Sequence, residues 1–309
     1  MLTFARVVIE LRYCGRQMLT IEREIASQPT MWRSSERLAR SEPELLPPHG
    51  SRLAVIGCGT SFYAAQAIAA LREARGFGEA DAFAASEFPR RRDYDAVLAI
   101  SRSGTTTEVV RALESVRGAT PSVAVSAVAD SPVTRAADQS LILDFADEEV
   151  VVQTRFATSV LACVRAWLGE DIEPLAAEIE SNAALALPLD PAAFGHFVFL
   201  AQGWVVGIAN EAALKLRESA GAWTEAYPAM EYRHGPVSAT TESTLVWALG
   251  EVDSGVLEAA AAAGATVRES RADPLAELVL VQRCAVALAL ARGRDPNAPL
   301  HLTRSVVLN

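Results

Sequence analysis

Lysine is almost absent from this sequence. The chain contains 28 lysine and arginine residues, and Lys215 is the only lysine among them. A chain that uses arginine at every other basic position does not need lysine for solubility or for surface ion pairs. Arginine stays charged at any working pH, whereas burial can lower the pKa of a lysine. Lys215 is therefore a candidate base, hydrogen-bond donor or Schiff-base nucleophile, with a chance survivor of GC-rich codon usage as the alternative.

Cysteine and histidine are also scarce. The four cysteines, at positions 14, 58, 163 and 284, form no C-x-x-C pair and have no histidine at the spacing of a metal ligand. This pattern argues against a disulfide framework and against a zinc site, and it favours a reducing cytoplasm. We therefore expect neither a metal nor another cofactor.

The sequence has no excess of positive charge and no long apolar run. Its net charge of −10 argues against a nucleic-acid partner, which needs a clustered positive surface. The longest weakly polar stretches, 196–210 and 275–291, are interrupted by Gln202 and by Gln282-Arg283. Both fall short of the ~20 apolar residues that cross a bilayer. We expect them in the protein core and expect no membrane partner.

The amino-terminal region predicts a helix and not a targeting segment. Residues 1–17 contain arginines but neither a long apolar stretch nor a small-residue cleavage site, so no secretory signal is predicted. Met18 is an alternative start, which would make these residues an extension. From Leu19 onward the pattern is that of an amphipathic helix, ending before the linker Pro47-Pro48.

Length and periodicity predict an α/β protein with two domains. The chain has 309 residues, of which 50% are hydrophobic, enough for two ordinary cores. Short β-branched runs alternate with helical stretches between residues 52 and 144, which is typical of a parallel sheet covered by helices. The pattern restarts after Leu187–Pro191, and it leaves little room for a fifth strand before a long helix at 275–292. We expect a helical segment at 1–47, a first domain at 48–185, and a second, truncated domain at 186–309.

The individual elements follow from the same pattern. The predicted strands are Leu53–Ile56, Ala80–Ala84, Ala96–Ile100, Ser122–Ala127, Leu141–Phe145, Phe197–Leu200, Thr224–Ala226, Thr244–Leu249 and Thr266–Arg268. The predicted helices include Phe62–Arg72, Thr154–Leu168, Glu173–Ala186 and Ile208–Ser219.

Two loops rich in glycine and hydroxyl side chains follow predicted strands. The first is Gly57–Ser61 and the second is Ser101–Glu108. Each loop opens a helix, where free N–H groups, the helix dipole and hydroxyls can hold an anion. Because both lie at carboxyl ends of strands in one sheet, they could converge on a single phosphate. The alternatives are simple helix capping and, from the lone Gly57-x-Gly59, a dinucleotide site.

A charged helical face and a histidine loop complete the candidate residues. Glu211, Lys215 and Glu218 are four and three residues apart, so they lie on one face of a helix. His234 is held in a loop before Gly235-Pro236, where an imidazole can be fixed at a defined angle. Ordinary surface ion pairs and a surface histidine are the alternatives.

Taken in order, these pieces resemble the double sugar-isomerase (SIS) domain family, from about Met18 to Asn309. The chain is similar to the isomerase half of glucosamine-6-phosphate synthase and to SIS-type amino-sugar-phosphate deaminase/isomerases. The matching pieces are C-G-T-S at 58–61, S-R-S-G-T-T at 101–106, Q-T-R at 153–155, E-A-A-L-K-L-R-E at 211–218, E-Y-R-H-G-P at 231–236 and D-P-N-A-P-L-H-L-T-R-S-V at 295–306. The resemblance implies two flavodoxin-like three-layer αβα subdomains with parallel sheets.

The resemblance also implies roles for particular residues. Glu218 would be the base that moves a proton between C1 and C2 of an open-chain sugar, and Lys215 and His234 would assist ring opening, with Glu211 beside them. His234 would come from the neighbouring subunit, so a homodimer with shared active sites is expected. The residues implied in phosphate or substrate binding are Gly59, Thr60, Ser61, Ser101, Arg102, Ser103, Gly104, Thr106, Val151 and Arg304.

Two departures from the family qualify this expectation. Arg304 stands where the synthase has a tail lysine, and arginine can bind phosphate or a sugar hydroxyl but cannot form a Schiff base. The glutamine-hydrolysing half of the synthase is not found in this sequence, so glutamine-dependent synthesis by this chain alone is not expected. The predicted function is isomerisation of a hexose or hexosamine 6-phosphate, coupled to deamination of an amino sugar. A non-catalytic sugar-phosphate sensor and a dehydrogenase are the alternatives.

Overall fold

The computed structural model describes residues 17–89, 91–182 and 185–308. The predictions on residues 1–16, including Cys14 and most of the possible extension, lie outside the described residues. The helices are α1 (Thr20–Ser41), α2 (Thr60–Ala74), α3 (Thr107–Val116), α4 (Pro132–Ala136), α5 (Arg155–Trp167), α6 (Glu173–Asn182), α7 (Val205–Ala220), α8 (Ser254–Ala262) and α9 (Pro274–Ala291). The strands are β1 (Leu53–Gly57), β2 (Ala80–Ala84), β3 (Ala96–Ile100), β4 (Ser122–Ser126), β5 (Gln139–Ile142), β6 (His196–Ala201), β7 (Trp223–Pro228), β8 (Thr244–Leu249) and β9 (Thr266–Ser270).

The first sheet has five parallel strands in the order β2-β1-β3-β4-β5. β1, β3 and β4 are buried along their whole length because helices cover both faces, which explains their continuous apolar sequences. The strand order reverses at β1, so the loops after β1 and β3 lie side by side at the carboxyl edge. This is the position expected for both hydroxyl loops.

Most predicted elements differ from the structure by one to four residues at one or both ends, including the fifth strand and helix α6. The fifth strand is Gln139–Ile142 and not Leu141–Phe145, because Asp144–Ala146 forms a 3-10 turn in which Asp144 accepts a 2.8 Å hydrogen bond from the N–H of Phe145. Helix α6 ends at Asn182 rather than at Ala186. Its predicted last turn includes residues 183–184, which lie outside the described residues.

The second sheet repeats the topology of the first with one strand fewer. Its four parallel strands have the order β7-β6-β8-β9. After β9 the chain reaches Asp273, whose carboxylate accepts a 2.9 Å hydrogen bond from Leu275 N and so caps α9. The truncated second sheet is therefore confirmed within the described part of the chain.

Helix α9 is long and apolar enough to cross a membrane by length and composition, but 67% of it is buried inside the protein. Gln282, which interrupts its apolar sequence, accepts a 2.7 Å hydrogen bond from Gln28 on α1. Gln28 in turn accepts a 2.7 Å bond from Thr158 on α5, and Thr158 accepts a 3.0 Å bond from Trp32. This buried polar network satisfies its members and holds α9 against α1 in the protein core.

Helices α2 and α7 join the two sheets through an unusually close crossing. A Cβ on Gly207 of α7 would lie 2.6 Å from the backbone nitrogen of Ala67 and 2.6 Å from the carbonyl oxygen of Tyr63, both on α2. Only glycine permits this approach, because real side chains do not tolerate such contacts. The crossing brings the start of α2, which follows the first hydroxyl loop, against the charged face of α7.

Candidate active site

The side chain of Lys215 is buried at the crossing of α2 and α7, with an exposed fraction of 1%. Its Nζ donates hydrogen bonds to Glu218 Oε2 at 2.6 Å, to Thr60 Oγ1 at 3.0 Å and to the carbonyl oxygen of Gln153 at 3.0 Å. Glu211 Oε1 lies 3.1 Å from the same nitrogen. We refer to Thr60, Glu211, Lys215 and Glu218 as the Lys215 cluster. The helical spacing predicted three of its members, and the structure places them together.

The charge of Lys215 is stabilised despite its burial. Burial alone would lower its pKa, but the carboxylates of Glu211 and Glu218 outweigh that effect, and the pKa is raised above its ordinary value. The lowered pKa considered from sequence is therefore wrong for this environment. Lys215 is an ammonium, suited to donating hydrogen bonds and to stabilising negative charge rather than to forming a Schiff base.

Glu211 and Glu218 differ in environment. Burial raises the pKa of Glu211 to about 7; Lys215 opposes the shift and Glu218 adds to it. One oxygen of Glu211 contacts Lys215 and Thr60, and the other, Oε2, is buried without a hydrogen-bond partner among the described residues. The side chain of Glu218 is 19% exposed. Glu218 is thus the carboxylate of the cluster that an incoming molecule can reach.

The first hydroxyl loop contributes Ser61, next to Thr60 at the start of α2. Ser61 is only 4% exposed, and its hydroxyl donates to no acceptor in the described ranges. Two backbone N–H groups of this turn are used internally, since Ser61 N bonds to Cys58 O and Phe62 N bonds to Gly59 O, whereas those of Gly59 and Thr60 bond to no acceptor in the described residues. The loop therefore offers both a side-chain hydroxyl and backbone donors to an anion.

The second hydroxyl loop retains backbone donors. Gly104 adopts φ +66°, and a Cβ there would lie 2.4 Å from the Ser131 side chain, so the turn requires glycine. Ser101 and Thr106 lie with their hydroxyls 3.4 Å apart, and Ser103 accepts a 3.2 Å bond from Thr105. The backbone N–H groups of Ser103 and Thr106 bond to no acceptor in the described part of the chain. These groups and the start of α3 can cradle a phosphate.

Arg102 is directed away from solvent. It is 2% exposed, and its guanidinium donates to the carbonyl oxygens of Val150 at 2.8 Å, Val151 at 3.4 Å and Arg304 at 3.4 Å. Burial lowers its pKa, and the nearby carboxylate of Glu148 opposes this effect. Arg102 thus links the loop at 150–151 to the carboxyl-terminal tail by hydrogen bonds. The carbonyl oxygen of Val151 is one of the acceptors.

Arg304 is engaged with protein atoms. Its guanidinium forms two hydrogen bonds to the Asp147 carboxylate, at 2.6 and 2.7 Å, and a further one to the carbonyl oxygen of Glu148. The ion pair is 40% exposed on the arginine side. A substrate anion would have to compete with Asp147 for this side chain.

The tail also crosses the second hydroxyl loop, which sequence reasoning did not anticipate. Thr105 donates a 2.8 Å bond to Ser305, and Thr107 N donates a 3.3 Å bond to the carbonyl oxygen of Val306. Leu308 N donates to Thr107 Oγ1 at 2.9 Å. Apart from Arg304, which was expected to bind substrate, the tail and the Gln153 carbonyl were indicated only by matching motifs, without a role.

His234 does not contact the Lys215 cluster of its own chain through any hydrogen bond or ion pair among the described residues. It ends the 3-10 turn Ala229–His234 and is exposed. Among these residues no group of three or more histidine, cysteine or acidic side chains is arranged to hold a metal ion.

Part of the chain matches a known family of domains, and most of it is similar to longer known proteins. Residues 48–168 match the SIS domain model. The chain therefore contains a SIS domain over these residues. A glutamine–fructose-6-phosphate aminotransferase (isomerizing) from Neisseria meningitidis serogroup B is 28% identical over 82% of this chain and 51% of its own length. The chain thus spans about half the length of the curated relatives it matches.

Solved structures extend the likeness beyond the matched SIS domain. A glucosamine-6-phosphate deaminase from Thermotoga maritima has a TM-score of 0.80 at 23% identity, covering 94% of this chain and 100% of that one. The C-terminal domain of a glucosamine-fructose-6-phosphate aminotransferase from Francisella tularensis has a TM-score of 0.75 at 22% identity, covering 92% and 98%. These likenesses show that both parallel sheets belong to one shared fold.

Proposed function

We propose that this SIS-domain protein is a sugar-phosphate aldose–ketose isomerase that acts on a hexosamine 6-phosphate and releases its amine. The observation that carries the proposal is the Lys215 ammonium held between Glu211 and Glu218. This ammonium contacts Thr60 at the start of α2, the helix that follows the first hydroxyl loop. Relatives of the chain bear the names of an isomerizing aminotransferase and a glucosamine-6-phosphate deaminase, which supports this class of substrate.

The two hydroxyl loops would hold the phosphate. Ser61 offers a free hydroxyl, and Ser103 and Thr106 offer free backbone N–H groups at the adjacent strand end. A dianionic phosphate there is stabilised by hydroxyl donors and by the start of α3 without any lysine. The bound phosphate would direct the sugar toward the Lys215 cluster.

Glu218 would act as the base. It is the more exposed of the two carboxylates, so it can approach the C2 proton of an open-chain sugar while Glu211 stays buried. Lys215, whose three protons are held by Glu218, Thr60 and Gln153, would stabilise the developing enolate through its positive charge. His234 would donate the proton that ring opening requires. General acid–base groups of this kind contribute ~10²–10⁴ each to rate.

Deamination would use the same proton transfer. With an amine at C2, removal of the C2 proton and protonation at C1 convert the aldose into a 2-imino sugar. Water then adds to the C=N bond, and ammonia leaves to give the ketose phosphate. We further propose a cytoplasmic homodimer in which His234 of one chain completes the site of the other.

The deciding experiment offers the purified protein a panel of hexose and hexosamine 6-phosphates, with ammonia and ketose measured separately. Equal release of both from a hexosamine 6-phosphate is expected. Ketose without ammonia would restrict the activity to isomerisation and overturn the deaminase assignment. Glu218→Gln should abolish product formation; binding of sugar phosphate without any turnover, by wild type and variant alike, would instead identify a sensor.

A further inference from the structure

The hydroxyl of Thr60 both donates and accepts hydrogen bonds within the protein, whereas that of its neighbour Ser61 does neither among the described residues. A hydroxyl has one proton to donate. The proton of Thr60 goes to Glu211 Oε1 at 3.2 Å, and its oxygen accepts from Lys215 Nζ at 3.0 Å. The Ser61 hydroxyl has no partner among the described residues. The hydroxyl of Thr60 therefore has no proton left for a phosphate oxygen, whereas that of Ser61 has one.

Thr60 also fixes the direction of the Lys215 ammonium. That group has three protons, and its other acceptors are Glu218 and the Gln153 carbonyl. Thr60 is the only side-chain acceptor in the described chain that approaches Lys215 from α2 rather than from α7. Its residue is 3% exposed, so water does not readily replace it. Without this hydroxyl the ammonium would lose the contact that holds it beside the loop.

We infer that the side chain of Thr60 positions the reacting groups and is not a phosphate ligand. It orients the Lys215 ammonium and supports the hydrogen-bonded oxygen of Glu211. This inference rests on the proposed function, and it corrects the role in phosphate binding expected for Thr60 from the resemblance. Thr60 then controls turnover, while Ser61 controls affinity for the phosphate group.

The test compares Thr60→Val, Thr60→Ser and Ser61→Ala in steady-state kinetics on the sugar phosphate that the wild type converts. Thr60→Val keeps the shape but removes the hydroxyl, and we expect kcat to fall by ~10²-fold with KM within about 3-fold. Thr60→Ser restores the hydroxyl and should stay within about 5-fold of wild type. Ser61→Ala should raise KM by about 10-fold with little change in kcat.

The pH profile of kcat supplies a readout that a purely structural role would not move. Loss of the hydroxyl changes the hydrogen bonding of Glu211 and Lys215 together, so the profile of Thr60→Val should shift relative to wild type, and that of Thr60→Ser should not. A raised KM at unchanged kcat in Thr60→Val would place Thr60 on the phosphate and overturn the inference. If Thr60→Val does not fold, a turnover loss in Thr60→Ser equal to that of Thr60→Ala would overturn it instead. A wild type that converts no sugar phosphate would refute the proposed function, which is a separate result.

Discussion

The Nζ of Lys215 and the Oε2 of Glu218 lie 2.6 Å apart, one turn along the same helix. Lys215 is fully buried and Glu218 is partly exposed, so the pair leads from the protein interior to the accessible side of the site. A shorter or bulkier cation at 215 would not keep this contact together with those to Thr60 and Gln153. The pair is therefore the most sensitive point of the site.

Lys215→Arg should leave the fold intact and reduce turnover by at least ~10²-fold, because the planar guanidinium cannot reproduce the contacts of the compact ammonium with Glu218, Thr60 and Gln153. Overpacking by the larger group should cost about 1–3 kcal/mol of unfolding free energy. The measurements are kcat and the thermal midpoint. The matched control is Arg217→Lys, at an exposed position of the same helix, which should change neither. Full activity of Lys215→Arg would remove the chemical role of the lone lysine.

Much of the fold was predictable because buried parallel strands have a distinctive sequence. Ala96–Ile100 and Thr244–Leu249 have the predicted boundaries, since each is a continuous apolar run buried on both faces. The fifth strand was misplaced because Asp144 starts a turn that hydrophobicity alone does not reveal. The local hydrophobic pattern predicts which apolar residues are buried. It does not predict where a polar side chain accepts a hydrogen bond from the backbone and starts a turn.

Only those contacts of the candidate site that join residues close together in the sequence could be predicted. Helical spacing places Glu211 beside Lys215, but the contact between Thr60 and Lys215 joins residues 155 positions apart. The ion pair of Arg304 with Asp147 spans 157 positions. The direction of the Lys215 pKa shift likewise depends on the balance between burial and two carboxylates, which requires three-dimensional distances.

A site shared between two chains makes a complementation prediction. His234→Ala and Lys215→Met should each be inactive alone, because each removes a proposed catalytic group from every site. If the histidine comes from the partner, a mixed dimer contains one site with both residues intact. Random reassociation after mixing should then restore about a quarter of wild-type activity.

The complementation is measured as turnover after co-refolding the two variants in equal amounts. Co-refolding Lys215→Met with Glu218→Gln is the control, since both residues belong to one helix and no mixed dimer regains an intact site. Activity that stays at zero in the first mixture, with dimers demonstrated by sedimentation, would place His234 in its own chain's site or outside catalysis.

Arg102 should influence stability more than phosphate affinity. Arg102→Lys leaves carbonyl oxygens of Val150, Val151 or Arg304 without a donor, and each unsatisfied buried group costs about 1–3 kcal/mol. We expect a lower thermal midpoint, with the affinity for inorganic phosphate within about 3-fold of wild type. Ser61→Ala, which removes a free hydroxyl, is the comparison and should weaken phosphate binding without a similar loss of stability. A large loss of phosphate affinity in Arg102→Lys alone would make Arg102 a direct ligand.

Glu24 on α1 should make stability depend on pH. Burial, and next Glu148, raise the pKa of Glu24 from 4.5 to about 7, so the folded state holds an extra proton between these values. With respect to this group, the folded state is most stable below pH 4.5, where Glu24 is protonated in both the folded and the unfolded state. That stability is lost as the pH rises through about 7, because the buried carboxylate must then be ionised. Glu24→Gln, which keeps an acceptor for Glu149 N, should therefore gain stability relative to wild type between pH 5 and pH 8, by about 2–3 kcal/mol at ~1.4 kcal/mol per pKa unit. Urea unfolding at both pH values measures this, with the exposed Glu44→Gln as control, and a difference that does not change with pH would contradict the assignment.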